Sequence, residues 1–140
     1  MKKVLVVEDD FFSRQLLIEL LSDHFDTLHM AVNGKEAVEA FIRSVEEDKH
    51  YDLICLDIMM PELNGQEALQ EIRRIEKEKG IGGADMVKVI MTTALNGPKD
   101  IMGAFIKGGC EGYLTKPIDL VKLNEYLKKF GLYREKKTVR

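Results

Sequence analysis

Five short apolar segments alternate with amphipathic ones along the chain, and this alternation limits the fold more than any other feature. The apolar segments, each long enough for one strand, are Lys3–Val7, Thr27–Val32, Asp52–Leu56, Met86–Thr92 and Gly112–Thr115. Strands that alternate with helices form a parallel sheet with helices on both faces, and their crossovers are almost always right-handed. The sequence therefore predicts an α/β fold, a doubly wound (βα)5 domain built on a five-stranded parallel sheet.

Five helices are predicted from apolar residues at helical spacing and from capping residues. They are expected over Ser13–His24 with Ser13 as N-cap, from Asn33, from Gly65 to Lys79, from Asn96 and from Asp119. The charged far side of the third helix, which includes Arg73 and Glu76, is expected to face solvent. A chain of 140 residues buries one ordinary core but not two. Residues 1–131 are therefore predicted to form one domain, followed by a charged tail, 132–140, that frays from Tyr133 onward.

Composition argues against several classes of function. The net charge is −3 and Lys and Arg are spread along the chain, so no nucleic-acid surface is predicted. The apolar run Val4–Val7 is too short for a signal peptide, and no segment approaches the about 20 apolar residues that span a bilayer. Cys55 and Cys110 form no CxxC motif and are expected to be reduced. We therefore expect a soluble cytoplasmic protein that contacts neither nucleic acid nor membrane directly.

Polar side chains stand at the ends of four predicted strands: Glu8-Asp9, Asp57, Thr93 and Lys116. Parallel strands end at the same edge of a sheet, where open α/β folds bind their ligands. Carboxylates that meet there repel one another, which raises a pKa or attracts a cation, and oxygen ligands without His or Cys favour Mg²⁺. A lysine and a hydroxyl beside them suit an anionic phosphoryl group, for which a carboxylate is a plausible nucleophile.

Each of these residues alone has an ordinary structural explanation. The acidic cluster after the first strand stabilises a helix N-terminus, Asp57 before Pro61 suits a turn, and Thr93 and Lys116 are common at strand ends. Their joint placement after four separate strands favours a functional site. The run Gly80–Gly83 resembles a phosphate loop but precedes a strand rather than a helix, so no phosphate site is predicted there.

Four motifs resemble those of the receiver domains of two-component response regulators. They are VLVVED (Val4–Asp9), DLICLDIMMPELNG (Asp52–Gly65), IMTTA (Ile90–Ala94) and GYLTKP (Gly112–Pro117). The resemblance covers about residues 2 to 131. It implies a flavodoxin-like sheet with the strand order 2-1-3-4-5. It also implies a CheY-like phosphoprotein of a phosphorelay in the single-domain form. Because few residues follow the last predicted helix, we expect no output domain in this sequence, which is then either a stand-alone regulator or a piece of a longer one.

The resemblance assigns a role to the residues at the sheet edge. Asp57 is the implied phosphoacceptor, and Lys116 contacts the phosphoryl group. Asp9, Asp57 and the backbone carbonyl of Met59 are implied ligands of Mg²⁺, with Glu8 binding the ion through water. The donor of the phosphoryl group is implied to be a histidine kinase or a histidine phosphotransfer protein, and the recipient of the signal is an unknown downstream protein.

The resemblance further implies a switch formed by Thr93 and Tyr113. On phosphorylation the Thr93 hydroxyl moves to bond a phosphoryl oxygen, and Tyr113 fills the space that it leaves. A cis peptide bond is implied before Pro117. Met59 and Leu95 are apolar where other members have polar residues that face the attacking water, so we expect a long-lived acyl phosphate.

Two other functions stay open from the residues alone. A pseudo-receiver would act as a protein–protein module without phosphorylation, although the intact acids and lysine argue against it. A flavodoxin-like cofactor binder would need a phosphate loop after the first strand, where this chain has three carboxylates that repel a flavin phosphate. We expect the protein not to be an enzyme, apart from catalysing its own phosphorylation and dephosphorylation on Asp57. Its expected oligomeric state is a monomer or a weak phosphorylation-dependent dimer.

Overall fold

The computed structural model describes residues 2–60, 62–94 and 109–135, which form five strands and four α-helices. The strands are β1 (Lys3–Val7), β2 (Thr27–Ala31), β3 (Leu53–Asp57), β4 (Lys88–Ala94) and β5 (Gly112–Lys116). The helices are α1 (Phe11–Leu21), α2 (Gly34–Glu46), α3 (Gly65–Glu78) and α4 (Leu120–Lys129), with a 3-10 turn at Gly83–Asp85. The helix predicted from Asn96 falls outside the described residues. Within the described ranges, no helix combines the length and the apolar character needed to cross a bilayer.

All five strands are parallel and lie in the order β2-β1-β3-β4-β5, which confirms the predicted doubly wound α/β fold. The register aligns the carboxyl ends of the strands. Asp57 of β3 pairs with Thr92 of β4, and Ala94 of β4 pairs with Lys116 of β5. The last residues of β3 and β5 therefore reach the same edge of the sheet.

The sheet separates two apolar layers, one on each face. Helices α2 and α3 form the first layer with the sheet, including Phe41, Leu56, Ile72 and Met91. Helices α1 and α4 form the second, including Val6, Leu17, Cys55, Leu114 and Leu127. Because side chains alternate along a strand, residues two positions after Val6, Cys55 and Leu114 fall on the α1–α4 side. Those residues are Glu8, Asp57 and Lys116, which the sheet thus brings together.

Asp10 is the N-cap of α1, and its carboxylate accepts a hydrogen bond from the Ser13 N–H at 2.8 Å. The prediction of Ser13 as N-cap of a helix over Ser13–His24 is therefore wrong. A carboxylate at this position both satisfies a free N–H group and lies at the positive end of the helix dipole. The helix consequently begins directly behind the acidic pair. The other three α-helices also begin at side-chain caps, Asn33, Asn64 and Asp119.

The first residues of the predicted tail pack against the domain. Leu132 is buried, and the Tyr133 and His24 ring centroids lie 4.7 Å apart. The Arg134 N–H donates to His24 Nδ1 at 3.0 Å, and its guanidinium forms two hydrogen bonds with Asp26, at 2.6 and 3.1 Å. The expected fraying is therefore wrong for Tyr133 and Arg134, because these contacts offset the entropy lost on ordering them. The domain boundary after residue 131 stays a prediction.

Two charged residues of α3 that were expected in solvent are largely buried. The Glu76 side chain is 2% exposed and the Arg73 side chain 15%, and the two form an ion pair at 2.6 Å. They lie three residues apart at the margin of the apolar face, where neighbouring elements cover them. Arg74, one position further around the helix, is 52% exposed, as predicted.

Candidate functional site

Three carboxylates meet at the carboxyl edge of the sheet. Oxygen atoms of Glu8, Asp9 and Asp57 lie within 4.8 Å of one another. Glu8 directly follows β1 and is fully buried, Asp57 ends β3 at 3% exposure, and Asp9 is exposed. The acids that the sequence predicted to converge are therefore brought together, two of them largely out of water.

Lys116, the last residue of β5, faces these acids. Its ammonium group forms an ion pair with Glu8 Oε1, and its Nζ lies 3.4 Å from Asp57 Oδ2. The peptide bond from Lys116 to Pro117 is cis, as predicted. Burial lowers the pKa of Lys116, but the carboxylates of Glu8 and Asp57 outweigh it and raise the pKa overall. The lysine is therefore a permanent positive charge within the acidic cluster.

Burial, together with the neighbouring carboxylates, shifts the pKa values of two acids upward. Burial raises the pKa of the Glu8 carboxyl, and Asp57 adds to the rise although the Lys116 ammonium partly offsets it. Partial desolvation raises the pKa of Asp9, to which the neighbouring Glu8 also contributes. A divalent cation would relieve this repulsion, and a set of carboxylate oxygens suits Mg²⁺. The residues present therefore fit the predicted metal ion.

Two glycines place the loop that follows Asp57. A Cβ at Gly65 would lie 2.2 Å from the Asp57 carbonyl oxygen, and the Gly65 N–H donates to the Ile58 carbonyl at 3.0 Å. A Cβ at Gly34 would lie 2.0 Å from the Leu63 carbonyl oxygen. The first residues of α2 and α3 therefore both lie against the loop backbone, and only glycine permits so close an approach. The sequence predicts Gly65 only as the start of a helix, because nothing local in the sequence reveals the contact.

Met59 lies two residues after Asp57 in that loop. Its N–H donates to Asp57 Oδ1 at 3.3 Å, and 67% of the residue is exposed. The N–H thus helps to orient the Asp57 carboxylate. The role of the Met59 carbonyl as a metal ligand stays a prediction. Leu95, the second apolar residue of the lifetime hypothesis, falls outside the described residues.

The predicted switch residues lie on β4 and β5, the two strands that follow β3 in the sheet. Thr93 is 3% exposed and sits within β4 rather than after it, because the strand extends to Ala94. Its hydroxyl donates to the Ala94 carbonyl at 3.5 Å. Tyr113 is half-buried on β5, and its N–H donates to the Tyr126 hydroxyl at 3.3 Å. Their roles in switching stay predictions.

Arg14 is a contributor to this edge that the sequence did not single out. It lies in α1, and its Nη1 donates to the Glu8 carbonyl at 2.8 Å. The only hint in the sequence was that an arginine follows the acidic pair closely in the chain. An arginine on a helix more often faces solvent, so this hint did not predict the contact. This contact depends on where α1 begins. The helix starts at Phe11, whereas the sequence predicted a start at Ser13.

Comparison with known proteins identifies the family. The model of the response regulator receiver domain matches residues 4–128. The chain belongs to this family. The receiver domain is 39% identical over 118 residues to the chemotaxis protein CheY of Halobacterium salinarum, which covers 83% of this chain and 85% of that protein. It also matches hybrid histidine kinases of Dictyostelium discoideum, of whose length it spans only 4–7%. The resemblance inferred from the motifs is confirmed.

Two solved structures extend this similarity. The receiver domain of the histidine kinase CKI1 from Arabidopsis thaliana, complexed with Mg²⁺ and BeF₃⁻, has a TM-score of 0.77 and 27% identity, covering 93% of this chain and 89% of that one. The second is the receiver domain of Ssk1 from Saccharomyces cerevisiae, crystallised with the histidine phosphotransfer protein Ypd1. It has a TM-score of 0.75 and 32% identity, covering 93% of this chain and 88% of that one.

Proposed function

We propose that this receiver domain accepts a phosphoryl group on Asp57 in the presence of Mg²⁺ and passes the change to a protein partner. The observation that carries the proposal is the meeting of Glu8, Asp9 and Asp57 with Lys116 at one edge of the sheet. Such a group of hard oxygen ligands beside a fixed ammonium suits a phosphoryl group held between two cations.

The transfer replaces one bond to phosphorus with another. An oxygen of Asp57 attacks the phosphorus, the bond from phosphorus to the donor histidine nitrogen breaks, and its electron pair returns to the imidazole. Lys116, 3.4 Å from Asp57 Oδ2, supplies positive charge next to the oxygens that gain negative charge. Glu8, Asp9, Asp57 and the Met59 carbonyl would hold Mg²⁺, which when bound neutralises phosphoryl oxygens. The product is an acyl phosphate on Asp57.

The donor and the reader of this group are proteins in our proposal. A histidine kinase or a histidine phosphotransfer protein supplies the phosphoryl group, which is supported by the complex of Ypd1 with the Ssk1 receiver domain. Thr93 and Tyr113 carry the change toward an unknown downstream protein. Their support is that β4 and β5 are neighbours and that Thr93 directly follows Thr92, the partner of Asp57. The domain catalyses only its own phosphorylation and dephosphorylation.

Acetyl phosphate, a small phosphoryl donor, tests this function directly. We expect the intact protein to gain the mass of one phosphoryl group when Mg²⁺ is present and to gain nothing when EDTA removes the metal. Peptide mapping after reduction of the acyl phosphate with borohydride should place the modification on Asp57. An unmodified protein under conditions that phosphorylate another receiver domain would instead favour an interaction module that works without phosphorylation.

The exposed side chain of Met59 leads to a prediction about the lifetime of the acyl phosphate. An apolar side chain beside Asp57 cannot orient the water that attacks the phosphorus. We expect the double variant Met59→Asn/Leu95→Glu to lose its phosphoryl group several-fold faster than the wild type, as timed by mass spectrometry after removal of the donor. Met30→Asn, also at an exposed methionine but on β2, is the matched control. Unchanged or slower loss in the double variant would contradict the hypothesis.

A further inference from the structure

We infer that Arg14 is a positioning residue for the metal-binding acids. It acts through the backbone of Glu8 and Asp9, holding the two peptide groups so that the attached carboxylates meet Asp57. The inference rests on the proposed function in one respect, namely that these acids bind Mg²⁺. It goes further in assigning a task to a cation that touches neither the metal nor the phosphoryl group.

The geometry places the guanidinium of Arg14 under the turn that carries the acids. Nη1 donates to the Glu8 carbonyl at 2.8 Å and lies 3.5 Å from the Asp9 carbonyl oxygen, at the long limit of a hydrogen bond. The guanidinium carbon lies 5.6 Å from the centroid of the Phe11 ring, close enough for a cation–π contact. The arginine is half-buried, so its contacts are only partly exposed to competition from water.

The turn needs such a fixed donor because it lies between two regular elements. β1 ends at Val7 and α1 begins at Phe11, and of the carbonyls between them only that of Asp10 joins the helix, by accepting the Arg14 N–H at 2.9 Å. The Glu8 and Asp9 carbonyls bond the Arg14 side chain instead. The Asp10 N–H donates to Glu8 Oε2 at 3.2 Å, which ties the Glu8 side chain to the same turn. A rotation of these peptide groups would therefore move the carboxylates. Arg14 opposes that rotation from the carbonyl side.

Removal of Arg14 should change the affinity for Mg²⁺ in opposite directions depending on whether Arg14 acts through its charge or by positioning the acids. The direction of the change therefore tests the inference. A positive charge near a cation site repels the cation, so its removal would raise the affinity for Mg²⁺. Lys116 behaves in this way, because its ammonium pairs with the carboxylates of Glu8 and Asp57 that the metal would use. Arg14 bonds carbonyl groups instead. If it positions the acids, its removal lowers the affinity even though a repelling charge is lost.

The experiment measures equilibrium binding of Mg²⁺ to unphosphorylated protein by isothermal titration calorimetry. We expect Arg14→Met to bind Mg²⁺ about tenfold more weakly than the wild type, the lower end of what loss of a supporting contact costs a metal site. Arg14→Lys keeps the charge without the planar fork and should also bind more weakly. Lys116→Met, which removes the competing cation, should bind several-fold more tightly. Urea unfolding of each variant shows whether the fold is intact.

The variants separate this inference from the proposed function. An Arg14→Met protein that binds Mg²⁺ as tightly as the wild type, or more tightly, would overturn the positioning role alone. Full recovery in Arg14→Lys would overturn the role of the planar guanidinium, since a single ammonium donor to the Glu8 carbonyl would then be sufficient. A wild-type protein that binds no Mg²⁺ would overturn both. Faster hydrogen exchange of the Asp10 amide in Arg14→Met, with unchanged exchange in the β3 amides, would support a local loosening of the turn.

Discussion

Asp57→Asn is expected to abolish phosphoryl uptake from acetyl phosphate. The amide oxygen is a far weaker nucleophile than a carboxylate, and the substitution also takes one anionic ligand from the proposed metal site. The fold should be retained, because asparagine has the same size and its Oδ1 can still accept the hydrogen bond from the Met59 N–H. Mass spectrometry of the intact variant, after incubation with acetyl phosphate and Mg²⁺, measures the effect.

Asp52→Asn is the matched control for this variant. Asp52 directly precedes β3, at the opposite end from Asp57, and its Oδ2 accepts a hydrogen bond from the Lys3 N–H at 2.9 Å. The same substitution there leaves the carboxyl edge of the sheet intact, so uptake should equal that of the wild type. A phosphoryl group on Asp57→Asn protein at the wild-type level would show that another acid, Asp9 or Glu8, is the acceptor.

The sequence predicted the fold and the acids of the site because both depend on strand periodicity. Apolar runs locate strands, and parallel strands must deliver their last residues to one edge, so Asp57 and Lys116 follow from local pattern alone. The residues at which the strands and helices begin and end were less well predicted. β4 runs two residues further than expected, which places Thr93 inside the strand and shows how weakly a Thr-Thr pair marks a strand end.

Contacts made through the backbone could not be predicted in this way. The approach of Gly65 to the Asp57 carbonyl depends on the path of α3, and the bond from Arg14 to the Glu8 carbonyl depends on where α1 starts. The burial of Arg73 and Glu76 likewise depends on what covers α3. Helical periodicity assigns a face to each residue but not the neighbours that lie on it.

Arg73 and Glu76 belong to a polar network at the amino edge of the sheet, far from the acids. The Arg73 guanidinium bonds Glu76 at 2.6 Å, the Val87 carbonyl at 3.0 Å and the Gly109 carbonyl at 2.7 Å, and it pairs with Glu111 at 2.8 Å. Glu76 in turn accepts the Val87 N–H at 2.8 Å. One arginine thus joins α3 to the start of β4 and to the segment that leads into β5.

Arg73→Met is expected to destabilise the fold by about 3 kcal/mol, because removal of one partner leaves the buried Glu76 carboxylate without a compensating charge. The loss should lower the urea midpoint by about 1 M or more, with little change in slope. Arg74→Met is the matched control. Arg74 pairs with Glu71 and Glu78 at 2.7 Å on the exposed side of the same helix, and its loss should move the midpoint only slightly.

A second substitution tests whether the uncompensated charge is the cause of the loss. Glu76→Gln removes the charge but keeps an oxygen that can accept the Val87 N–H, so Arg73→Met/Glu76→Gln should be more stable than Arg73→Met. The recovery should be partial, since the carbonyls of Val87 and Gly109 still lack the arginine donors. A double variant no more stable than Arg73→Met would instead attribute the loss to those carbonyls and to the lost bridge between α3 and the strands.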